Sequence, residues 1–145
     1  MSQQVAEQVA EQVAEQVARD YWQRVWNDGD GDAALELYAD DVLMDGEPLD
    51  RTEFAAMVRS WFTKFPGFTA TVEDVLVAGD RVVTRVRYRG THEGTWAGLP
   101  ATGRSFSSHG LDVFTVRDGR ITEHWHATDH YELVVQLGGK VVPAG

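Results

Sequence analysis

The sequence predicts an α+β fold in which helices pack on one face of a curved, antiparallel sheet. Before Pro66-Gly67 the apolar residues recur at helical spacing, and after it they alternate as they do in strands. Two turn sequences, Gly79-Asp80 and Asp118-Gly119, divide the second part into strands that can pair as hairpins. Helices followed by a meander of strands are the pattern of this fold class.

The composition indicates one domain that carries a net charge of −10 and has no cysteine. The lack of cysteine excludes a disulfide framework and a thiolate metal site. An acidic chain repels phosphate backbones and anionic lipids, so we expect neither nucleic acid nor a membrane as a partner. No apolar run approaches the ~20 residues of a membrane span, and no secretory signal is evident. A cytoplasmic location is therefore expected.

Residues 1–16 form a repetitive helical extension, in which Val5-Ala6-Glu7-Gln8 occurs three times. All these residue types except valine are strong helix formers. Each repeat turns the valines by about 40° around the helix, so they do not form a coiled-coil seam. The extension is interpreted either as an exposed part of the first helix or as a contact that helps the chain dimerise.

The main domain is expected over residues 17–138, with a C-terminal tail over residues 139–145. Its first half is predicted to contain three helices and one short strand: helices Val17–Trp26, Ala33–Tyr38 and Glu53–Phe65, and a strand around Val42–Met44. Its second half is predicted to contain four strands: Phe68–Val77, Arg81–Gly94, Arg104–Arg117 and Arg120–Asp129.

The Asp118-Gly119 turn predicts the register of the last hairpin. With these two residues as the loop, Asp112 pairs with Trp125 and Ser108 pairs with Asp129. Paired residues share a face of the sheet. The predicted pocket face therefore holds Ser108, Asp112, Phe114, Trp125 and Asp129, whereas His109, His124 and His126 lie on the other face.

Two carboxylates on the predicted pocket face, Asp112 and Asp129, indicate acid/base chemistry. Burial among aromatic side chains raises a carboxyl pKa, and this allows a carboxylate to move protons near neutral pH. The alternative is that each aspartate is ionised and hydrogen-bonded to the backbone or to an arginine.

The histidines allow other interpretations. His124 and His126 have the spacing of metal ligands, and His109 would be the third ligand, but no fourth ligand is evident. We therefore expect no metal site, and interpret these histidines as a polar outer face or a subunit interface. His92 shares a strand face with Tyr88, so it either lines the mouth of a pocket or is simply exposed.

Gly94 to Gly138 carries several short motifs in order: "GLPATGR", "GLDVF", "DGRITEHW", and then Asp129 and "QLG". With them the chain resembles the SnoaL-like polyketide cyclases of the nuclear transport factor 2-like superfamily, over about Val17 to Gly138. The resemblance implies a cone-shaped domain in which a curved, mostly antiparallel sheet wraps around N-terminal helices. It also implies an apolar pocket at the wide end, and a homodimer.

The resemblance implies roles for three aspartates. Asp129 matches the aspartate that serves the polyketide cyclases as general acid/base in an intramolecular aldol closure without cofactor or metal. Asp112 matches an aspartic acid that donates a hydrogen bond to the enolate in ketosteroid-isomerase-like members. Asp45 is the nearest candidate for the base of those isomerases.

The expected function is a cofactor-independent cyclase that acts on a small hydrophobic, polyketide-like substrate. Asp129 would move the proton, and Asp112 would hold or polarise an oxygen. The residues expected to shape the pocket are Trp22, Asp45, Trp61, Tyr88, His92, Phe106, Ser108 and Trp125.

Several alternatives stay open at this level. An epoxide hydrolase would need an arginine between two acids in the cavity, and a ketosteroid-isomerase-like enzyme would need Asp45 in the pocket. A cycloaddition would need only folding of the substrate, so neither Asp112 nor Asp129 would be essential. The non-enzyme alternative is a ligand-binding or dimerisation module.

Overall fold

The computed structural model describes residues 2–144 and confirms the α+β fold. Its helices are α1 (Gln3–Asp20), α2 (Ala33–Leu37), α3 (Arg51–Lys64) and α4 (His130–Gln136), and α1 continues as a π-helix (Tyr21–Asn27). Its strands are β1 (Tyr38–Met44), β2 (Glu47–Pro48), β3 (Thr69–Ala78), β4 (Arg81–Thr91), β5 (Ser105–Arg117) and β6 (Arg120–Thr128). The short helix α4 was not predicted.

The six strands form one open, curved sheet in the order β2-β1-β6-β5-β4-β3. All neighbours are antiparallel except β1 and β6, which run parallel. Helix α1 packs across β3 to β6, and its C-terminal residues join the buried core with Val42, Val82, Val86 and Phe114. The cavity described below lies between this sheet and the helices.

The N-terminal repeat lies on an exposed part of α1. Val5, Val9 and Val13 are exposed, and burial of the helix begins at Ala14. Within the chain, the repeat therefore extends a helix whose C-terminal half belongs to the core.

The π-helix places two aromatic residues one above the other. In such a helix, residues five apart take neighbouring positions. The indole Nε1 of Trp26 donates a hydrogen bond to the hydroxyl of Tyr21 at 3.0 Å. Both side chains line the cavity. Short π-helical segments are frequent at functional sites.

A bulge in β6 changes the register of the last hairpin. The turn has positive φ at Asp118 and Gly119, as a two-residue hairpin loop requires, and Val116 pairs with Ile121 as predicted. Thr115 then pairs with Glu123, so Thr122 is an extra residue without a partner. The predicted pairing is wrong beyond this point, because one inserted residue moves every later side chain of β6 to the opposite face.

Gly31 is required where the chain between the π-helix and α2 crosses α3. A Cβ at this position would lie 2.5 Å from the backbone oxygen of Ala55. We expect Gly31→Ala to lower the free energy of unfolding by about 1–3 kcal/mol, because backbone atoms must move to admit the methyl group. Urea denaturation measures the difference.

Gly67→Ala is the matched control, because a Cβ there would meet nothing within 4 Å. Its free energy of unfolding should stay within about 0.5 kcal/mol of the wild-type value or rise slightly. Equal effects of the two substitutions would contradict the close packing of Gly31 on α3.

Candidate active site

A cavity of about 380 Å³ lies between the helices and the concave face of the sheet. Much of its wall is aromatic, and the apolar rings that line it are Trp22, Trp26, Phe54, Trp61, Phe68 and Phe106. Edge-to-face and tilted contacts hold these rings together, such as Trp26 against Trp61 and Phe68. An apolar wall of this kind suits a hydrophobic ligand.

The polar lining comes mostly from β5, β6 and the start of α4. These side chains are Ser108, Asp112, His124, His126, Thr128 and His130. The hydroxyl-bearing rings of Tyr21 and Tyr88 join them. The cavity thus has a few grouped polar groups in an apolar surround, which is the usual composition of a ligand site.

A chain of hydrogen bonds joins two buried side chains of the cavity wall, Asp112 and His124, to the buried Tyr38. The Tyr38 hydroxyl lies 2.7 Å from Nδ1 of His124, and His124 Nε2 lies 2.6 Å from Oδ2 of Asp112. His124 and Asp112 are only 1% and 2% exposed. If Asp112 is ionised, Nε2 donates to it and Nδ1 accepts from Tyr38. Both ring nitrogens of His124 are then occupied, so its role is to fix Asp112.

The second oxygen of Asp112 has no partner. Oδ1 is buried and makes no hydrogen bond within the part of the chain that the structure describes. Such an atom carries a desolvation cost of about 1–3 kcal/mol unless something binds it. Ser108 Oγ, on the same face of β5, is also buried without a hydrogen-bond partner among the described residues. Trp61 Nε1, which belongs to another cavity-lining residue, is also buried without a partner among the described residues.

Tyr88 occupies the space between Ser108 and Asp112. Gly110 lies between them on the same face of β5, and a Cβ on Gly110 would come within 2.5 Å of the Tyr88 hydroxyl. Gly110 therefore leaves room for the phenol to lie flat over β5. This brings a hydroxyl donor to the polar side of the cavity.

A second histidine–aspartate pair lies at the edge of the cavity. His126 Nδ1 lies 2.6 Å from Oδ2 of Asp45, and Asp45 Oδ1 accepts a hydrogen bond from the His126 backbone N–H at 2.9 Å. Asp45 sits in the turn between β1 and β2 with a left-handed backbone, φ 53°. Both side chains are partly exposed, unlike His124 and Asp112.

Burial and the charge of Asp112 raise the pKa of the tyrosines around the cavity. For Tyr21 and Tyr88 burial is the larger cause and Asp112 the second. Burial also raises the pKa of Tyr38, and interaction with Tyr21 adds to this. All three hydroxyls therefore keep their protons at neutral pH.

Six of the sequence-predicted site residues line this cavity. They are Asp112, Tyr88, Phe106, Ser108, Trp22 and Trp61. Tyr88 lies on β4, Trp22 lies on the π-helix, and Phe106, Ser108 and Asp112 lie on β5. The bulge in β6 changes the face of none of these five residues. Trp61 belongs to the apolar stripe of α3.

The other four predicted site residues lie elsewhere. The bulge turns Trp125 to the outer face of the sheet, where it is 45% exposed. Asp129 follows β6, is exposed, and caps α4 by accepting a hydrogen bond from the Glu132 backbone N–H. His92 is buried outside the cavity, stacked on Phe65 and bonded to Thr102. Asp45 contacts His126 rather than the cavity.

The sequence interpretation placed His124 and His126 on the wrong face. Both lie on the cavity side, opposite Phe114 and Asp112, while His109 stays on the outer face. The proposed set of three histidine ligands is therefore split between two faces. No group of three or more metal-ligating side chains forms among residues 2–144. No residue pattern marks Thr122 as the bulged position.

Among the described residues, no helix is both long enough and apolar enough to cross a membrane.

The comparison with protein-family models decides the family. The model described as SnoaL-like polyketide cyclase matches residues 16–137, which is most of the chain. The chain belongs to this family. The match begins at the last residue of the N-terminal extension and ends just before Gly138, so it covers every element that builds the cavity.

Solved structures of other proteins have the same nuclear transport factor 2-like fold. TsrD from Streptomyces laurentii is 26% identical, with a TM-score of 0.79 over 88% of this chain and 96% of that one. IdmH from Streptomyces antibioticus is 34% identical, with a TM-score of 0.77 over 86% of this chain and 98% of its own.

A curated relative is the aklanonic acid methyl ester cyclase DnrD of Streptomyces peucetius. It is 35% identical over 60 residues, and the match spans 41% of each protein. The chain therefore matches less than half the length of this relative.

Tyr38→Phe tests the hydrogen-bond chain. Without the hydroxyl, Nδ1 of the buried His124 loses its partner, so we expect the free energy of unfolding to fall by about 1–3 kcal/mol. Chemical denaturation gives the value. Tyr131→Phe is the matched control, because Tyr131 is 65% exposed. Equal stability of the Tyr38 and Tyr131 variants would contradict the importance of this bond.

Alkaline pH should unfold the protein through its buried tyrosines. The folded state keeps the protons of Tyr21, Tyr38 and Tyr88 above pH ~10, where an unfolded chain releases them. The free energy of unfolding is therefore unaffected by these groups below that pH and falls as the pH rises beyond it.

Near-ultraviolet absorbance of tyrosinate and far-ultraviolet circular dichroism, recorded on the same samples, check this sign. Most tyrosinate should form together with the loss of helix signal. Formation of all tyrosinates while the dichroism stays native would show that the three hydroxyls are not buried as described.

Proposed function

We propose that the protein closes a ring in a hydrophobic, polyketide-type substrate by proton transfer, with Asp112 as the base. The unpartnered Oδ1 of Asp112 in the wall of an aromatic cavity carries this proposal. Membership of the polyketide cyclase family and the partial match to DnrD support the reaction class.

Asp112 is held in the orientation that such a base needs. Its Oδ2 is bonded to His124, and Tyr38 holds His124 from the other side. The carboxylate can therefore present Oδ1 without rotating. A base positioned in this way accepts a proton from the carbon next to a substrate carbonyl, and general-base catalysis contributes about 10²–10⁴-fold to a rate.

Tyr88 is the proposed donor to the oxygen that gains charge. Its hydroxyl stays protonated, because burial and the nearby Asp112 raise its pKa. It lies over Gly110, next to Asp112 on the polar side of the cavity. A donor fixed in an apolar site stabilises a developing enolate more than water does, because it needs no reorganisation.

This proposal moves the acid/base role from Asp129, where the motif puts it, to Asp112. Asp129 is exposed and its Oδ1 is bonded to the backbone of α4, although its neighbour His130 does line the cavity. The aldol chemistry is the same in both versions. The two versions differ in which carboxylate removes the proton.

The epoxide-hydrolase alternative finds less support. It requires an arginine between two acids, and no arginine lines the cavity within residues 2–144. The isomerase alternative requires Asp45 as a base in the pocket, but Asp45 binds the side chain and backbone of His126.

Asp112→Asn tests the proposal. The substitution keeps the shape and an oxygen to accept from His124, but it removes the base. With aklanonic acid methyl ester, the substrate in the name of DnrD, as the probe, we expect kcat to fall about 10²–10⁴-fold. Chromatography of the ring-closed product measures turnover. Quenching of tryptophan fluorescence measures binding, since Trp22, Trp26 and Trp61 line the cavity.

Asp129→Asn is the matched comparison. Asparagine caps a helix as well as aspartate does, so α4 should be kept. Our proposal expects near wild-type kcat for this variant. Loss of turnover in Asp129→Asn with normal turnover in Asp112→Asn would restore the motif assignment. Normal turnover in both variants would favour closure by substrate folding alone.

A further inference from the structure

We propose that His126 is a second proton-transfer residue of this site, the acid that protonates the oxygen formed on ring closure, and that Asp45 positions it. This inference rests on the proposed function and adds to it a second, separate catalytic group. It is carried by two observations: the cross-strand position of His126 beside Asp112, and the fixed carboxylate behind its ring.

His126 and Asp112 are direct partners across β6 and β5. Directly opposite residues on one face of an antiparallel pair have Cβ atoms about 4.5–5.5 Å apart. Both residues line the cavity. A ligand that reaches the free oxygen of Asp112 therefore lies beside the imidazole of His126.

Asp45 sets which nitrogen of His126 is presented. Its Oδ2 lies 2.6 Å from Nδ1, and two lone pairs would repel at this distance, so a proton belongs on Nδ1. Nε2 has no hydrogen-bond partner in the part of the chain that the structure describes, and His126 lines the cavity. The imidazolium form, which carries a proton on each nitrogen, can donate from Nε2.

Asp45 is itself held rigidly. Its backbone N–H donates to the His124 carbonyl at 2.9 Å, and its Oδ1 accepts from the His126 backbone N–H. Both bonds attach the β1–β2 turn to β6 and aim the carboxylate at the ring. The left-handed backbone of Asp45 is a conformation that non-glycine residues rarely adopt and that often occurs at functional sites.

The two groups complete one aldol closure. Asp112 Oδ1 takes a proton from the carbon next to a carbonyl, and the resulting enolate carbon bonds to a second carbonyl carbon. The C=O π electrons move to that oxygen, which receives the proton from Nε2 of His126. Asp112 then returns its proton to His126. The product is an isomer of the substrate, and no oxidant or other reactant is needed.

The charged and titratable groups that surround the imidazole come from every neighbouring element. Asp45 faces it from the β1–β2 turn and Asp112 from β5. His124 lies on the same strand with its ring centre 6.3 Å away, and His130 lines the cavity from α4. Two carboxylates therefore flank His126.

Nuclear magnetic resonance on ¹⁵N-histidine-labelled protein tests the geometry without turnover. We expect the proton of neutral His126 on Nδ1, and a shift of the Nε2 resonance when aklanonic acid methyl ester binds. In Asp45→Asn the amide donates to Nδ1, so the proton should move to Nε2. A proton on Nε2 in the wild-type protein, or an Nε2 resonance that the probe leaves unmoved, overturns the proposal.

Kinetics with the same probe test the chemistry. His126→Gln keeps a hydrogen-bond donor but has no transferable proton, so kcat should fall at least about 10²-fold while the affinity measured by tryptophan quenching changes little. Asp45→Asn should lower kcat as well, because the ring loses the carboxylate that positions it. His109→Gln, on the outer face of the sheet, is the matched control and should keep wild-type kcat.

The results separate this inference from the proposed function. If wild-type protein closes the ring, Asp112→Asn abolishes closure and His126→Gln keeps wild-type kcat, the inference falls and the proposed function stands. If wild-type protein binds the probe without closing the ring, the proposed function falls, and the inference falls with it.

Discussion

The single extra residue at Thr122 in β6 is the constraint on which the polar half of the cavity depends. It leaves Ile121 in the core and turns His124 and His126 inward, and Trp125 outward. Without it, an indole would face Asp112, and both histidines would face away from the helices. A bulge next to a site commonly redirects side chains in this way. Here it places two histidines on the face of the sheet that would otherwise carry Trp125.

The inward-facing imidazole of His124 needs hydrogen-bond partners, and residues of β1 and β5 supply them. A buried imidazole needs a partner at each nitrogen, and Tyr38 and Asp112 supply them. The three residues belong to three adjacent strands, so the same bonds that satisfy His124 also fix the relative position of β1, β6 and β5. One carboxylate oxygen remains free after this arrangement. The same side chains thus satisfy the buried histidine and leave one carboxylate oxygen without a partner among the described residues.

The helices contribute to the cavity wall through the packing of aromatic rings rather than through hydrogen bonds. The π-helix and α3 contribute rings that pack edge-to-face, and together they cover the sheet without filling the space above β5. Gly110 adds to this by leaving room for the Tyr88 phenol. The cavity thus combines aromatic walls with polar groups that come mostly from β5, β6 and the start of α4.

The sequence by itself determined the fold class, the order of helices and strands, the apolar stripes and the face of β5, because these follow from periodicity and turn residues that are local in the chain. Asp112, Ser108 and Tyr88 were predictable for that reason. The tertiary structure alone decided the face of β6, the parallel pairing of β1 with β6, and the two histidine–aspartate pairs. A bulge depends on how whole strands fit against their neighbours, and the partners of His124 and His126 are far away in sequence. Alternation along one strand therefore could not reveal which side of the sheet these histidines occupy.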